Sequence, residues 1–420
     1  GYNVNGNSGS FRDYYLDISY GLLTVNTDVE GWYTALNNKA TYGIESLANR
    51  NFHNAVPLIR EAVDAAEAAG IDFSQYDGDG DGRVDVVEVI HSGRGAEASG
   101  NVDDIWSHRW VLAAASLSVT YDGKLINDYI IQPEKHGANS ITNIGVLVHE
   151  FGHALGLPDL YDTDNSSRGL GHWCCMAGGT WNNSGKTPAQ FSAWCKKELG
   201  WISPTVLSGN GDISNMDYSD NDDEAYQFDT PDADEYFLLE NRQKIGWDAH
   251  IPGEGLAIYH IDESRNSNSD ESRPWVDLEQ ADGDRDLNLN VNSGDNGDLY
   301  PGSSNNSEFK CSTSPNSNNY SGGVSNINIF DISSSGDLIN FSYDFCSTDC
   351  SVADIATDGS PSNIAGGTYD QAFTISYSFP PASGTLDVSA AGITVNEAIT
   401  GSPQTVTITG LPADGESVTV

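Results

Sequence analysis

The densest chemistry in the chain lies in "VLVHEFGHALGLPDLYD", residues 146–162. His149 and His153 are four residues apart. On a helix they share a face one turn apart, so both imidazoles reach one metal ion. Glu150 sits beside His149 and can point at a metal-bound water without ligating the metal. These are the parts of a zinc hydrolase. Zn²⁺ lowers the pKa of water to about 7, and the carboxylate serves as general base while the water attacks a carbonyl. A tetrahedral zinc site needs a third protein ligand, and the HExxH stretch alone does not supply it.

The candidates follow closely. Gly156 stands three residues after His153, where a helix can end with φ > 0, and Leu157-Pro158 turn the chain back. Asp159 then falls at the last position of HExxHxxGxx(H/D), the metzincin pattern, and aspartate is a normal zinc ligand. Asp162 and Asp164 are near rivals. The first glutamate after His153 is Glu198, far along the chain beside two lysines. Met176, one of two methionines in the chain, lies in "WCCMAGGTW", where metzincins place a Met-turn beneath the metal. Tyr161 is a candidate for steadying an oxyanion. His91, His108, His136, His172 and His260 read as structural.

Several elements must position these groups. "SITNIGVLVHEFGHALG" (140–156) reads as a helix capped by Ser140. "TPAQFSAWCKKELGW" (187–201) reads as another, with Thr187 as cap, Pro188 in the first turn and Gly200 as stop. Residues 52–70 carry a helical face of Val56, Ile59, Ala62, Val63 and Ala66. "SFRDYYLDISYGLLTVN" reads as a short helix followed by a strand. "VDVVEVI" (84–90) reads as a buried strand, and residues 116–133 as a hairpin around Asp122-Gly123. Residues 1–205 are thus expected to form an α/β metzincin-like catalytic domain, and 206–345 a β-rich domain packed on it. Residues 351–420 lack Cys, His, Trp, Met, Lys and Arg, and their evenly spaced short strands predict a small all-β, Ig-like sandwich module, cut short at its last strand.

A second cation motif begins at Asp77. Asp77, Asp79, Asp81, the Arg83 carbonyl, Asp85 and Glu88 occupy EF-hand loop positions 1, 3, 5, 7, 9 and 12, with Gly82 at 6. A strand-like run follows where a second helix would belong, so the expectation is structural Ca²⁺. Asp282, Asp284 and Asp286 form a further calcium candidate, as does "GDNGD" at 294–298, with solvated turns as the alternative for each.

The chain's 420 residues carry 61 Asp+Glu against 19 Lys+Arg, a formal charge of −42. That field repels nucleic acid and anionic membranes and attracts Ca²⁺. No apolar run approaches the roughly 20 residues of a membrane span. Six cysteines suit an oxidising compartment with up to three disulfides, the adjacent Cys174 and Cys175 bonding to different partners and Cys346 bridging locally to Cys350.

With these residues in hand, the chain resembles the secreted immune inhibitor A-type metallopeptidases. The likeness runs through "SFRDYYLDISYG", "DGDGDGRVDVVEVIHSGRGAE", "HEFGHALGLPDLYD", "MAGGTW" and "EYFLLENRQKIGWDAHIPGEGLAIYHID", over roughly residues 1–345. The resemblance implies His149, His153 and Asp159 as zinc ligands, Glu150 as base and Met176 as the turn residue. It also implies calcium for stability and a secretory precursor that loses a signal peptide and a pro-segment. The Cys-Cys pair before Met176 departs from the pattern. As disulfides the pair would stiffen the site, and as a free thiol it would compete for zinc. The expected protein is a monomeric, secreted zinc endopeptidase acting on proteins or peptides, with substrate added as a strand along the 116–133 hairpin. The competing class is a non-catalytic, calcium-stabilised adhesion or polymer-binding protein on a protease fold. The retained Glu150 argues against it, because a binding protein has no need of a base.

Overall fold

The computed structural model describes residues 6–48, 50–137, 140–345, 351–378, 385–398 and 403–413, and the chain divides into two compact units, 1–344 and 345–420. In the first unit the helices are α1 (Phe11–Ile18), α2 (Val56–Ala68), α3 (Ala96–Ser99), α4 (Ile144–Ala154) and α5 (Ala193–Glu198). Its early strands are β1 (Val87–Arg94), β2 (His108–Val111), β3 (Val119–Tyr121), β4 (Lys124–Ile126) and β5 (Asp128–Lys135).

Strand β5 lies in the middle of a three-stranded sheet, parallel to β1 and antiparallel to β2. Its alternating side chains serve both faces. Tyr129 and Ile131 join Val56, Ile59 and Val63 of α2 in one apolar cluster, while α4 also packs on β5. β3 and β4 make the hairpin around Asp122 and Gly123, both at positive φ as a two-residue turn requires.

Several boundaries differ from expectation. The predicted 116–133 hairpin spans only residues 119–126, because the run from Asp128 onward leaves it to become the central strand β5. The expected buried strand at 84–90 starts at Val87 and stays half-buried, since β1 is a sheet edge. The helix expected from Ser140 starts at Ile144 with Asn143 as N-cap. Residues 141 and 142 are held extended, by a bridge between Ile141 and Lys135 and by the Thr142 N–H donating to the Glu134 carbonyl. α5 begins at Ala193, its true cap being Ser192, whose side chain accepts from the Cys195 N–H. Residues 189 and 190 are instead tied by backbone bonds to Gly179 and Cys175. No strand follows α1, where Tyr20 and Gly21 turn at positive φ.

The rest of the first unit is β-rich: β6 (Thr205–Val206), β7 (Gly211–Asp217), β8 (Tyr226–Asp229), β9 (Glu235–Arg242), β10 (Gly255–Asp262), β11 (Val276–Leu278), β12 (Phe309–Lys310), β13 (Ile327–Phe330) and β14 (Leu338–Phe345). They form sheets of order β11-β10-β9-β8-β6 and β12-β13-β14-β7. One core joins the two halves: Tyr14, Tyr15, Met176 and Trp194 are buried in the same cluster as Tyr236, Trp247, Tyr259 and Leu278.

That β-rich half buries a titratable cluster. His260 of β10 is 1% exposed, lies 3.2 Å from both Glu235 and Glu279, and is sandwiched between the rings of Phe237 and Tyr320. Burial alone would depress its pKa, but the two carboxylates raise it to about 9. A folded pKa above the unfolded value of about 6.5 gives stability that is complete below pH 6.5 and lost as pH rises through 9. That contribution is about 3 kcal/mol from the size of the shift. Chemical denaturation at pH 7 and 9.5 should therefore show the wild type losing stability with pH, and His260→Gln losing much less.

In the second unit, β15 (Ser351–Ala365), β16 (Thr368–Ser378) and β19 (Gln404–Pro412) form one antiparallel sheet, and β17 (Thr385–Ala390) pairs with β18 (Ile393–Ala398). Phe373, Ile375, Val388, Val406 and Ile408, drawn from both pairings, form one apolar cluster.

Candidate metal centre

α4 is buried along the face that carries Val148, His149 and Gly152, and Glu150 is 6% exposed. Its close packing depends on a glycine. A Cβ at Gly152 would collide with Met176 Sδ and crowd the ring of Phe191, so Met176 lies directly under the helix. Gly152→Ala should cost about 1–3 kcal/mol by overpacking, read as a lower denaturation midpoint. An unchanged midpoint would mean that the floor yields freely.

The helix ends at Ala154 with Leu155 as its C-cap, and Gly156 takes φ +104, which lets the chain reverse toward Asp159. Three atoms then converge. Asp159 Oδ1 is 3.2 Å from His149 Nε2 and 3.1 Å from His153 Nε2, and the two Nε2 atoms are 3.2 Å apart. Ligands about 2.0–2.1 Å from a tetrahedral zinc would stand ~3.3 Å from one another, so the triangle is of the right size. The remaining ring nitrogens are fixed by backbone acceptors: His149 Nδ1 lies 2.9 Å from the Cys175 carbonyl and His153 Nδ1 2.8 Å from the Leu157 carbonyl. A carbonyl only accepts, so each Nδ1 carries the proton and each Nε2 presents a lone pair. Asp159 Oδ1 is buried with no hydrogen-bond donor. A donor set of two imidazoles and one carboxylate around such an orphaned oxygen fits zinc.

The electrostatics agree. Burial would depress His149, but the carboxylates of Asp159 and Glu150 raise it to about 9. Burial would raise Asp159, but the two imidazoles hold it well below the usual carboxylate range. A proton or a cation is thus drawn to the same three atoms. Burial pushes the Glu150 carboxyl up, opposed by the flanking histidines.

A cavity of about 250 Å³ opens onto His149 and Glu150. Val146, Ala177, Gly178, Thr180 and Trp181 line it from segments near the helix and its floor, and Arg50, Glu97, Trp106, Ser107 and Tyr161 line it as well. Glu97 holds Ser107 by its N–H at 3.2 Å and its hydroxyl at 2.8 Å, and Arg50 stacks 3.9 Å over Trp106. Arg50, Glu97, Trp106 and Ser107 were missed from sequence. Arg50, Glu97 and Trp106 are scattered along the chain with no shared spacing, and only the fold brings them to the helix.

The other expected sites divide. Asp162 and Asp164 stand apart from the histidines, grouped with Glu271. Asp77, Asp79 and Asp85 come together, but Asp81 is occupied in accepting the Arg83 N–H at 2.8 Å. Glu88 lies apart from that group. It lies on β1, where the two-residue strand period turns it to the Gln132 amide of β5 rather than to the loop. The Asp282, Asp284, Asp286 trio does not come together either. Asp284 is exposed, its N–H donating to Asp282, while Asp286 accepts from Asn292. Asp282 instead groups with Asp295 and Asp298.

Of the up to three disulfides expected, Cys311 does take part in one, but the adjacent Cys174 and Cys175 form none. Cys174, Cys175 and Cys195 are buried free thiols, with Cys174 Sγ and Cys195 Sγ 3.9 Å apart. Cys175 offers the metal site its carbonyl, not its sulfur, and burial raises its thiol pKa far above normal. The expected Cys346–Cys350 bridge lies outside the described residues.

This geometry agrees with what the chain is similar to. Residues 1–202 match the family model of the Immune inhibitor A peptidase M6 catalytic domain. The chain is 35% identical over 241 residues to Immune inhibitor A of Bacillus thuringiensis subsp. alesti, covering 50% of this chain and 34% of that protein. It is 36% identical over 237 residues to Pre-pro-metalloprotease PrtV of Vibrio cholerae serotype O1 (strain M66-2), covering 48% of this chain and 25% of that protein. The resemblance read from "HEFGHALGLPDLYD" and its companions is borne out by these matches. The chain spans about a third and a quarter of the length of these two relatives. Among the described residues no helix is long and apolar enough to cross a membrane.

Proposed function

We propose that the chain is a secreted, zinc-dependent endopeptidase of the metzincin type that hydrolyses proteins or peptides. The observation that carries the reading is the triangle of His149 Nε2, His153 Nε2 and Asp159 Oδ1, with Glu150 buried beside it. Zinc bound there would polarise the scissile carbonyl and acidify water. Glu150 would take the proton from the attacking water and return it to the leaving amine. Tyr161, stacked 6.3 Å from His149, would face the oxygen that gains charge. Met176 would serve as the floor that keeps the histidine helix in place.

A substrate strand would pair with β2, which replaces the expected hairpin as the rail. β2 is a sheet edge, and Trp106 and Ser107 immediately before it line the cavity. The −42 charge suits a soluble extracellular protein and argues against nucleic-acid partners. The Asp77, Asp79 and Asp85 loop would take calcium, in exchange for the Lys124 ammonium now paired with Asp77.

The test is metal removal. Cleavage of denatured casein should stop when a zinc-selective chelator strips the chain, and return on adding about one equivalent of Zn²⁺. A zinc-loaded chain that cleaves neither casein nor a mixed peptide library would overturn the reading and leave a binding protein on a protease fold.

A further inference from the structure

Two acidic clusters that look separate in the sequence meet in the structure. Asp282, Asp295 and Asp298 all lie in the long connection between β11 and β12, and one carboxylate oxygen from each lies within 4.8 Å of the others. A second observation is independent of the clustering. Asp298 is 1% exposed, and its Oδ1 is buried with no hydrogen-bond donor. Its other oxygen is committed, accepting from Trp173 Nε1 at 2.9 Å and from the Asp295 N–H at 3.1 Å.

The neighbours are arranged in the same way. Asp282 Oδ1 accepts from the Asp284 N–H at 3.1 Å, while its Oδ2 lies so close over Gly297 that any side chain there would collide. Asp295 is steadied by Asn292 Nδ2 at 2.8 Å and the Gly297 N–H at 2.7 Å. All of these donors are neutral. Burial, and then the other acids of the cluster, push the Asp298 carboxyl up to about 7. Buried like charges of this kind call for a counter-charge, and an all-oxygen donor set selects a hard cation.

We propose that Asp282, Asp295 and Asp298 form a calcium site that braces the segment carrying Met176. The connections are short. Trp173 hangs from Asp298, the His172 N–H donates to the Ser293 carbonyl at 2.7 Å, and the Arg168 N–H donates to the Leu287 carbonyl at 2.9 Å. Two residues after Trp173, the Cys175 carbonyl fixes His149 Nδ1. Calcium would thus tie the two acidic clusters to the strip of chain that orients a histidine of the metal centre. The site itself does not depend on the chain being a peptidase.

The test uses the full chain freed of divalent ions and titrated with Tb³⁺, then Ca²⁺. Trp173 should sensitise Tb³⁺ luminescence, and Ca²⁺ should quench it by displacement. Equilibrium dialysis should show one fewer bound Ca²⁺ in Asp298→Asn and in Asp282→Asn, and no change in Asp284→Asn. Asp282 is only half-buried, so if Asp298→Asn does not fold, Asp282→Asn decides alone: a missing equivalent supports the site, and a full complement overturns it. For the brace, zinc release to a competing chelator should slow about 10-fold or more when Ca²⁺ is present, and Asp282→Asn should abolish that slowing. An equal release rate with and without Ca²⁺ would overturn the brace.

Discussion

Glu150→Ala should lower kcat/KM toward a peptide substrate by about 10³-fold or more, while zinc content stays near that of the wild type. Three features set this expectation. Glu150 lies on α4 between the two histidines but outside the ligand triangle, so removing it leaves Asp159 and both Nε2 atoms in place. It is 6% exposed, and burial keeps its carboxyl raised, so a proton moves onto it readily. It also lines the cavity from which a substrate carbonyl would approach. Glu150→Gln keeps the shape and loses the base, so it should be as inactive as the alanine variant. Activity retained in both would move the role to another carboxylate, and Glu97 is the other one lining that cavity.

The second large effect concerns the third ligand. Asp159→Ala should weaken zinc binding by more than about 100-fold, beyond the range seen when only an outer-shell partner is lost, and abolish cleavage at ordinary zinc concentrations. Its Oδ1 closes the triangle with both imidazoles, and the alanine would leave two neutral ligands on an open face. Asp162→Asn is the control. Asp162 accepts from the Ser167 N–H at 2.6 Å and from the Ser166 hydroxyl at 2.8 Å, so its loss should loosen the loop yet leave zinc bound. The assignment fails if Asp162→Asn empties the site and Asp159→Ala does not.

The centre of the site was legible because it is local. His149, Glu150, His153, Gly156 and Asp159 lie within one helix and its exit turn, so helical spacing and a glycine stop are enough to align them. Everything that depends on distant segments was hidden. The Cys175 carbonyl that sets the His149 tautomer is 26 residues away, and nothing about a cysteine announces its backbone. Glu88 fits the EF-hand register, but the register assumes a helix, and a strand aims its side chain elsewhere. Asp282 shows the same limit. Its partners in space come from farther along the same connection, more than ten residues on, rather than from its neighbours in sequence. The even cysteine count was right only in part: Cys311 is disulfide-bonded, whereas burial, not pairing, accounts for Cys174, Cys175 and Cys195.

The shared core described above carries a practical consequence. The family match ends at residue 202, yet Tyr14 packs edge-on against Trp247, and Trp194 against Trp275. A gene fragment trimmed to the matched region would bare one side of that aromatic interior to water. It would be expected to clump or be degraded rather than yield a small active protease. The border drawn by evolutionary similarity is therefore not a place where this polypeptide can be cut, and a minimal version should run to about residue 344, where the first compact unit closes.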